Sequence, residues 1–357
     1  MTLKVIQWAT GPVGRSALRH LIINPAYELV GVYVNSADKV GMDAGKLVGL
    51  PDTGIKTTND KAAIRAMQAD AVVFAPRMPM TKEELDSEVF PLLESGKNVV
   101  TPSGYWFPPL HGNDYVQRVE AACRKGNVSV FGAGENPGFF LAHMAPMAAT
   151  GCSELRSISA GEFVDCSQHP SPTMVFDVLC FGKDPKEAEA HSPTATMLDR
   201  CTKEDLSALA HHLGIEIEGF EKESRFATLD HDIECAVGRI AAGTLVAQSH
   251  RWSALKNGKP VLTFQPTWFV TDKVPGWNDL YDHWNVVIDG RPCMHIDFRC
   301  TTSFDRLPLL KWADTDSGAM DTITAMTCVN AIPAVCAAPP GIVYPNFFGG
   351  TPLLNFA

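Results

Sequence analysis

The stretch Gln7-Trp8-Ala9-Thr10-Gly11-Pro12-Val13-Gly14-Arg15-Ser16-Ala17-Leu18-Arg19-His20 sets Ala9-x-Gly11-x-x-Gly14 between a short apolar run and a helical pattern. In the dinucleotide fingerprint the first glycine allows a tight turn, the second lets a pyrophosphate approach the backbone, and the third lets helix and strand pack closely. Alanine holds the first place here, so the flanking elements carry much of the reading. Leu3–Trp8 reads as a parallel strand covered on both faces. A helix is predicted from Val13 to Ile23, stopped by Asn24-Pro25, and Glu28–Val34 reads as a second strand. Residues 3–34 therefore form one βαβ unit. Pro12 has no N–H and suits the start of a helix, which leaves the Val13 and Gly14 amides and the helix dipole to hold phosphate.

The alternation continues with helices at Lys61–Gln68, Lys82–Ser95 and Asp114–Lys125, and strands at Ala71–Ala75, Asn98–Thr101 and Val128–Phe131. Such alternation implies a doubly wound parallel sheet, and residues 1–140 are expected to form a dinucleotide-binding domain. After residue 150 the texture changes. Long β-like stretches appear at Leu155–Val164, Ile240–Trp252, Val261–Thr271, Trp284–Ile288 and Cys293–Thr301, with hairpin turns expected at Asn257-Gly258 and Asp289-Gly290. Residues 141–315 are thus expected to be an α+β domain with an open, largely antiparallel sheet, serving substrate binding and oligomerisation. A last helix from Gly318 to about Cys336 and the tail, 316–357, are expected to pack back on the first domain.

At 357 residues and 45% hydrophobic content the chain has room for two cores. Its net charge of −10 argues against nucleic acid as a partner, because that affinity rests on Lys and Arg neutralising phosphates. The start, MTLKVIQWAT, lacks a basic segment followed by an apolar one, and no apolar window reaches the roughly 18 residues of a membrane span, so a cytoplasmic protein is expected. None of the ten cysteines forms a C-x-x-C pair, there is no H-E-x-x-H, and no metal site is expected. Reduced, mostly buried thiols are the expectation.

An acidic side chain at the end of the second strand normally takes the ribose 2′-hydroxyl of NAD. Here that place is Asn35, followed by Ser36, with Lys39 and Arg15 nearby. A neutral residue among cations accepts a 2′-phosphate, so NADP(H) is favoured, while Asp38 keeps NAD(H) open. A second glycine cluster, "FGAGENPGFF" at 131–140, carries Gly132, Gly134 and Gly138 after a strand. It reads either as the edge of an interdomain cleft, with Glu135 and Asn136 facing it, or as a plain domain-crossing turn.

These residues resemble the dihydrodipicolinate-reductase-like superfamily, in the branch of 2,4-diaminopentanoate dehydrogenases and native amine dehydrogenases. The resemblance rests on "WATGPVGR" (8–15), "KVGMDAGKLVGLPDTGIKTTND" (39–60), "DAVVFAP" (70–76), "GKNVVTPSGYW" (96–106), "GAGENPGF" (132–139), "GEFVDCSQHPSPTMVFDVLCFG" (161–182) and "NAIPAVCAAPPGI" (330–342). It implies an N-terminal Rossmann domain, a second domain closing over the nicotinamide, NAD(P)H-linked reduction of C=N or C=O, and a homo-oligomer, first of all a dimer. Carried over by residue, it implies pyrophosphate at Gly11, Val13, Gly14 and Arg15, with Pro12 between them counted as cofactor-binding, and the 2′ side at Asn35 and Ser36. It further implies the adenosine and nicotinamide ribose edge at Ala75, Pro76 and Arg77, and Ser103 and Gly104 toward the nicotinamide; Asn136, at the cleft edge, is counted with the cofactor-binding candidates.

Two features of these relatives are missing. Native amine dehydrogenases carry a catalytic glutamate shortly after the strand ending here at Thr101, where this chain reads Pro102-Ser103-Gly104-Tyr105-Trp106. The His-His-x-x-Lys run of dihydrodipicolinate reductases is also absent: His211-His212 is followed by Leu213-Gly214-Ile215, in an expected surface helix.

Hydride transfer asks the protein for a positioned cofactor and a proton donor. Tyr105 is the first candidate donor, with packing against the cofactor as the other reading. Glu135 and Asp165 are the next, either of which could bind an amine or relay protons, although Asp165 also reads as a turn cap. His169 and Phe176 are candidates for substrate contact, and His111 is ambiguous. The aromatic content of the second domain points to a sizeable apolar substrate. The leading expectation is an NAD(P)H-dependent oxidoreductase acting on a carbonyl, imine or amine. The competing ones are an amine dehydrogenase with its carboxylate relocated to Glu135 or Asp165, and a nucleotide-binding sensor without catalysis.

Overall fold

A computed structural model describes residues 2–76, 80–191, 193–278, 280–300, 318–345 and 355–356. The chain divides into two compact units: Met1–Phe139 with Met320–Pro345, and the described part of Phe140–Ala319 with 355–356.

The first unit is built on β1 (Leu3–Trp8), α1 (Pro12–Ile23), β2 (Tyr27–Tyr33), β3 (Thr57–Thr58), α2 (Lys61–Ala66), β4 (Ala71–Phe74), α3 (Lys82–Glu94), β5 (Asn98–Thr101), α4 (Asn113–Gly126) and β6 (Ser129–Gly132). These strands pair in parallel in the order β6-β5-β4-β1-β2-β3, with Gly341–Ile342 added beside β6. That order reverses between β1 and β4. Open α/β sheets bind ligands at such a switch point, outside the carboxyl ends of the strands. Both faces are buried, which is why the strands read as apolar runs. Ile6, Val72, Phe74, Val99 and Val130 pack with Ile64, Val89 and Val119 on one side. On the other side Val5, Ala71, Val73 and Val100 meet Ala17 and Leu21 of α1 and Ala325, Cys328, Val329, Ile332 and Val335 of the helix Gly318–Ala337. Among the described residues this helix is the one long and apolar enough by length and composition to span a membrane, and this packing buries part of it, 33% of its apolar window being buried.

Local chemistry sets the element ends. Thr81 caps α3 reciprocally with Glu84, the T-x-x-E signature just ahead of an apolar periodic run. The segment between β2 and β3 is gathered around Asp43, whose carboxylate accepts from the amides of Gly45, Thr53 and Gly54, each at 2.9 Å. Those donors, the Thr53 amide foremost, hold the Asp43 carboxyl down to about 2.

The second unit holds α5 (Ala145–Ala149), β7 (Glu154–Asp165), α6 (Pro185–His191), α7 (Pro193–Leu213), β8 (Gly219–Thr228), β9 (Ile233–Cys235), β10 (Gly238–Ile240), β11 (Leu245–Lys256), β12 (Lys259–Phe269), β13 (His283–Arg291) and β14 (Met294–Phe298). Its main sheet runs β14-β13-β7-β12-β11-β8, antiparallel along that order except for the parallel β7–β12 pair, and Asn355–Phe356 also pairs parallel with β7. Asn257 and Gly258 close the β11–β12 hairpin with φ of 52° and 69°, the left-handed pair that a two-residue turn requires. The second expected turn needs correction. Asp289 and Gly290 remain in β13, paired to β7 through a bulge, and the chain reverses after them, before Met294.

Candidate cofactor site

The cradle begins with a backbone demand. Ala9 lies in the core with φ 69°, a left-handed conformation that an L residue adopts at a cost. Gln7 holds it there: fully buried, its Nε2 donates to the carbonyls of Ala9 at 2.9 Å and Trp8 at 3.2 Å. Neither contact of Gln7 was read from the sequence, although a glutamine between Ile6 and Trp8 was a visible signal. Ala9→Gly is expected to stabilise the protein by about 1 kcal/mol by relieving this conformation, as urea unfolding would show.

Past Ala9 the chain passes Gly11, which opens α1 with no side-chain cap, and Arg15 N closes the first turn on Gly11 O at 2.8 Å. The Val13 and Gly14 amides precede the first helical bond and so have no acceptor within the helix. The two glycines differ. A Cβ on Gly14 would lie 2.3 Å from the Ala9 carbonyl oxygen, so its smallness serves the protein's own packing. A Cβ on Gly11 would meet nothing within 4 Å; the space beside it is open for something else. The first turn carries no acidic residue, Arg15 is exposed beside it, and Lys39 reaches across with Nζ 3.3 Å from the Thr10 carbonyl. Asn35 and Ser36 lie exposed just past the end of β2. Dipole and two cations together suit an anion.

Ala75 and Pro76 follow β4, with Ala75 N bonded to Trp8 O at 3.1 Å; Arg77 lies outside the described residues. After β5 and β6 two loops run side by side. Trp106 Nε1 donates to Ala133 O at 2.7 Å, and a Cβ on Gly132 would fall 2.5 Å from Trp106 N. Gly134 donates its amide to Thr327 Oγ1 at 3.1 Å, a contact from the far end of the sequence that its local pattern did not signal. Ser103 is 1% exposed and its Oγ has no hydrogen-bond partner among the described residues. A buried orphan hydroxyl costs about 1–3 kcal/mol and calls for a partner that binds. Next to Ser103, Gly104 packs against Leu85. Glu135 and Asn136 are half-buried at the start of the irregular segment after β6, where Asn136 is extended and one Glu135 carboxylate oxygen is shielded from solvent.

The open space at Gly11, the free amides of α1 and the orphan Ser103 hydroxyl all fit a dinucleotide laid across the carboxyl ends of β1, β4, β5 and β6. Among the described residues no three His, Cys, Asp or Glu side chains converge to hold a metal ion.

The proposed donor moves elsewhere. Tyr105 is 3% exposed, and its hydroxyl donates to Asp86 Oδ1 at 2.8 Å, an oxygen that also accepts from Tyr115 at 2.9 Å. Burial first, then the Tyr115 and Asp86 charges, push its phenol well above the usual range. A phenol buried against a carboxylate is a poor proton donor. His111 lies edge-on to Tyr115 in the same cluster.

In the second unit Asp165 is exposed and its carboxylate accepts from Ser167 N at 2.8 Å, the turn-cap reading. His169 Nδ1 accepts from Ser171 N at 3.2 Å. Phe176 packs into a hydrophobic cluster beside Gly182 and Gly238. His211 and His212 end α7, where His212 is half-buried rather than on an open surface, and burial pulls its imidazole down to about 4.

Comparison with known proteins adds the following. No protein-family model matches the chain. An amine dehydrogenase from Streptomyces virginiae is 27% identical over 312 residues, 84% of this chain and 85% of the relative. The solved amine dehydrogenase of Mycobacterium smegmatis superposes with a TM-score of 0.74 at 20% identity, over 97% of both chains. GenD2 from gentamicin A biosynthesis, solved with NAD, superposes with a TM-score of 0.50 at 13% identity, covering 94% of this chain and 86% of that one. These likenesses share the fold described above, a parallel sheet followed by a mixed, mostly antiparallel one. Together with the sequence relative they support the superfamily branch that the motifs resemble.

Proposed function

We propose that this chain is an NAD(P)-dependent oxidoreductase that reduces a C=O or C=N bond of a hydrophobic small molecule, or runs the reverse oxidation. The observation that carries the reading is the cradle at the switch point: open space at Gly11, free first-turn amides and no acid in the first turn of α1. The amine dehydrogenase relative and the NAD-bound structural neighbour agree with it. When bound, the nicotinamide supplies or accepts the hydride. The chain's part is to fix the pyrophosphate on the Val13 and Gly14 amides and to offer the Ser103 hydroxyl to the nicotinamide end. Asn35, Ser36, Lys39 and Arg15 take the 2′ side, and their charge favours NADP(H) over NAD(H).

With Tyr105 hydrogen-bonded to Asp86, we assign the proton transfer to Glu135, half-buried in the segment after β6, the strand paired with β5 ahead of Ser103. Acceptance of an amine by Glu135 is the second reading, an amine dehydrogenase with its carboxylate relocated one strand over, and the relatives' activity favours it. We place the protein in the cytoplasm as a homodimer.

A fluorescence titration with NADPH and NADH, followed by turnover with ketones, aldehydes and amines, tests the proposal. Tighter binding of NADPH with oxidation by any of the panel supports it. Binding without turnover across the panel favours a sensor, and no binding ends the proposal. In the same assay Tyr105→Phe is expected to leave kcat within about twofold of wild type. Its cost falls instead on stability, about 1–2 kcal/mol, because Asp86 loses a buried donor. A loss of turnover beyond tenfold at unchanged folding would restore Tyr105 as the acid.

A further inference from the structure

Lys39 reaches the cradle from a segment with little regular structure. Residues 34–56 join β2 to β3 and carry two short 3₁₀ turns, Ala37–Lys39 and Lys46–Val48. The Lys39 ammonium lies 3.3 Å from the Thr10 carbonyl oxygen and 3.5 Å from Thr10 Oγ1, and it forms no ion pair among the described residues. Its charge is left for a ligand. A lysine stem is flexible, so the place its ammonium can reach is set by where the backbone is held.

That backbone is held at the Lys39 carbonyl, which accepts from Thr57 Oγ1 and from the Met42 amide at 3.3 Å. Gly41 N to Thr57 O, Thr57 N to Met42 O and Ala44 N to Ile55 O, each at 2.9 Å, extend this contact into a narrow ribbon, and Thr57 is itself paired with Val32 at the edge of the sheet. The ribbon closes on Asp43. This residue is 2% exposed, and its carboxylate takes the Gly45, Thr53 and Gly54 amides together with Thr53 Oγ1 at 3.2 Å, while Lys56 stands 3.8 Å away. On the other flank Arg19 of α1 donates to the Val48 carbonyl at 3.0 Å, which ties the loop to the cradle's own helix. Replacing this carboxylate by an amide would set an N–H group against donors.

We propose that Asp43 is a positioning residue: by locking the 39–57 ribbon it holds Lys39 at the cradle, where the ammonium recognises the 2′-phosphate of the nucleotide. The proposal rests on the reading of the cradle as a dinucleotide site. An ammonium so placed meets a phosphate in NADPH and only a hydroxyl in NADH, so its position acts on the choice between them more than on binding in general.

The test is a fluorescence titration of the full-length protein with NADPH and with NADH, alongside urea unfolding of each variant. Wild type is expected to bind NADPH more tightly. Lys39→Met should cut the preference for NADPH about tenfold, the scale of one hydrogen bond between charged groups. Asp43→Asn should cut it at least about threefold, and the double variant no further than Lys39→Met, because both changes act through one ammonium. Should Asp43→Asn misfold, Thr57→Val, an isosteric change that removes the hydrogen bond to the Lys39 carbonyl, is expected to lower the preference as well. Lys46→Gln, which removes an exposed loop cation paired with Asp52, should leave it unchanged. A preference kept in Asp43→Asn and Thr57→Val, with both nucleotides weakened alike, gives Asp43 a structural role alone and overturns the proposal while the cofactor site stands. An equal loss in Lys46→Gln, or equal binding of the two nucleotides by wild type, overturns it as well. Wild type that binds neither nucleotide overturns the dinucleotide reading and this proposal with it.

Discussion

Gly11→Ala and Gly14→Ala are expected to fail in opposite ways. At Gly14 the added methyl would sit 2.3 Å from the Ala9 carbonyl oxygen and 3.0 Å from its carbon, both backbone atoms already pinned by Gln7. The helix cannot keep its place on the strand, and a loss of about 2–3 kcal/mol of stability is expected, as for overpacked cores generally. At Gly11 the methyl meets nothing, and φ −69° with ψ −174° suits alanine. Stability should therefore change by less than about 1 kcal/mol, the scale of a helix-cap substitution. The methyl does occupy the space where a pyrophosphate would approach, so the NADPH dissociation constant should rise at least about tenfold, about 1.4 kcal/mol. Thermal unfolding and NADPH fluorescence on the two variants separate these effects. Unchanged affinity in folded Gly11→Ala would show that the turn holds no phosphate.

The same contrast explains what could be read from the sequence. The parallel sheet was legible because strands buried on both faces are runs of Val, Ile and Ala, and most ends were placed within a residue or two. β8 was not, because Glu221, Lys222, Glu223 and Arg225 make an exposed edge strand look like a charged loop. The parallel β7–β12 pair could not be read either, since it joins partners such as Ile158 and Leu262, more than a hundred residues apart in sequence. The cradle was visible because a backbone that must approach a neighbour or a ligand demands glycine. Tyr105 misled for the opposite reason. Its partner Asp86 lies on α3, where nothing local distinguishes a buried aspartate from an exposed one. The orphan state of Ser103 and the contact of Gly134 with Thr327 likewise exist only once distant segments have met.

Buried histidine predicts the second large effect. His250 on β11 is 2% exposed, with Nε2 3.0 Å from Gln248 Oε1 and Nδ1 2.9 Å from Ser224 Oγ. Gln248 Nε2 donates to the Leu179 carbonyl, so its Oε1 faces the ring as an acceptor. Nε2 of the imidazole therefore carries the hydrogen and Nδ1 accepts from the serine, an arrangement complete in the neutral form. Burial, and then the Lys222 charge, pull its pKa down to about 4. The unfolded chain takes up that proton near the ordinary value of about 6.5, so between these pH values it binds more protons than the native state. Stability present above pH 6.5 is accordingly lost as the pH falls toward 4. From pH 7 to pH 5 the loss from His250 alone is about 2 kcal/mol. His212, drawn down to about 4 by burial and its histidine neighbours, and His143, lowered by burial, act in the same direction. Urea unfolding at pH 5, 6 and 7 should show this decline. His250→Gln should flatten it by the His250 share even if it lowers stability at every pH, because glutamine does not titrate. A slope left unchanged in that variant would show that His250 is already protonated, or exposed, in the native protein.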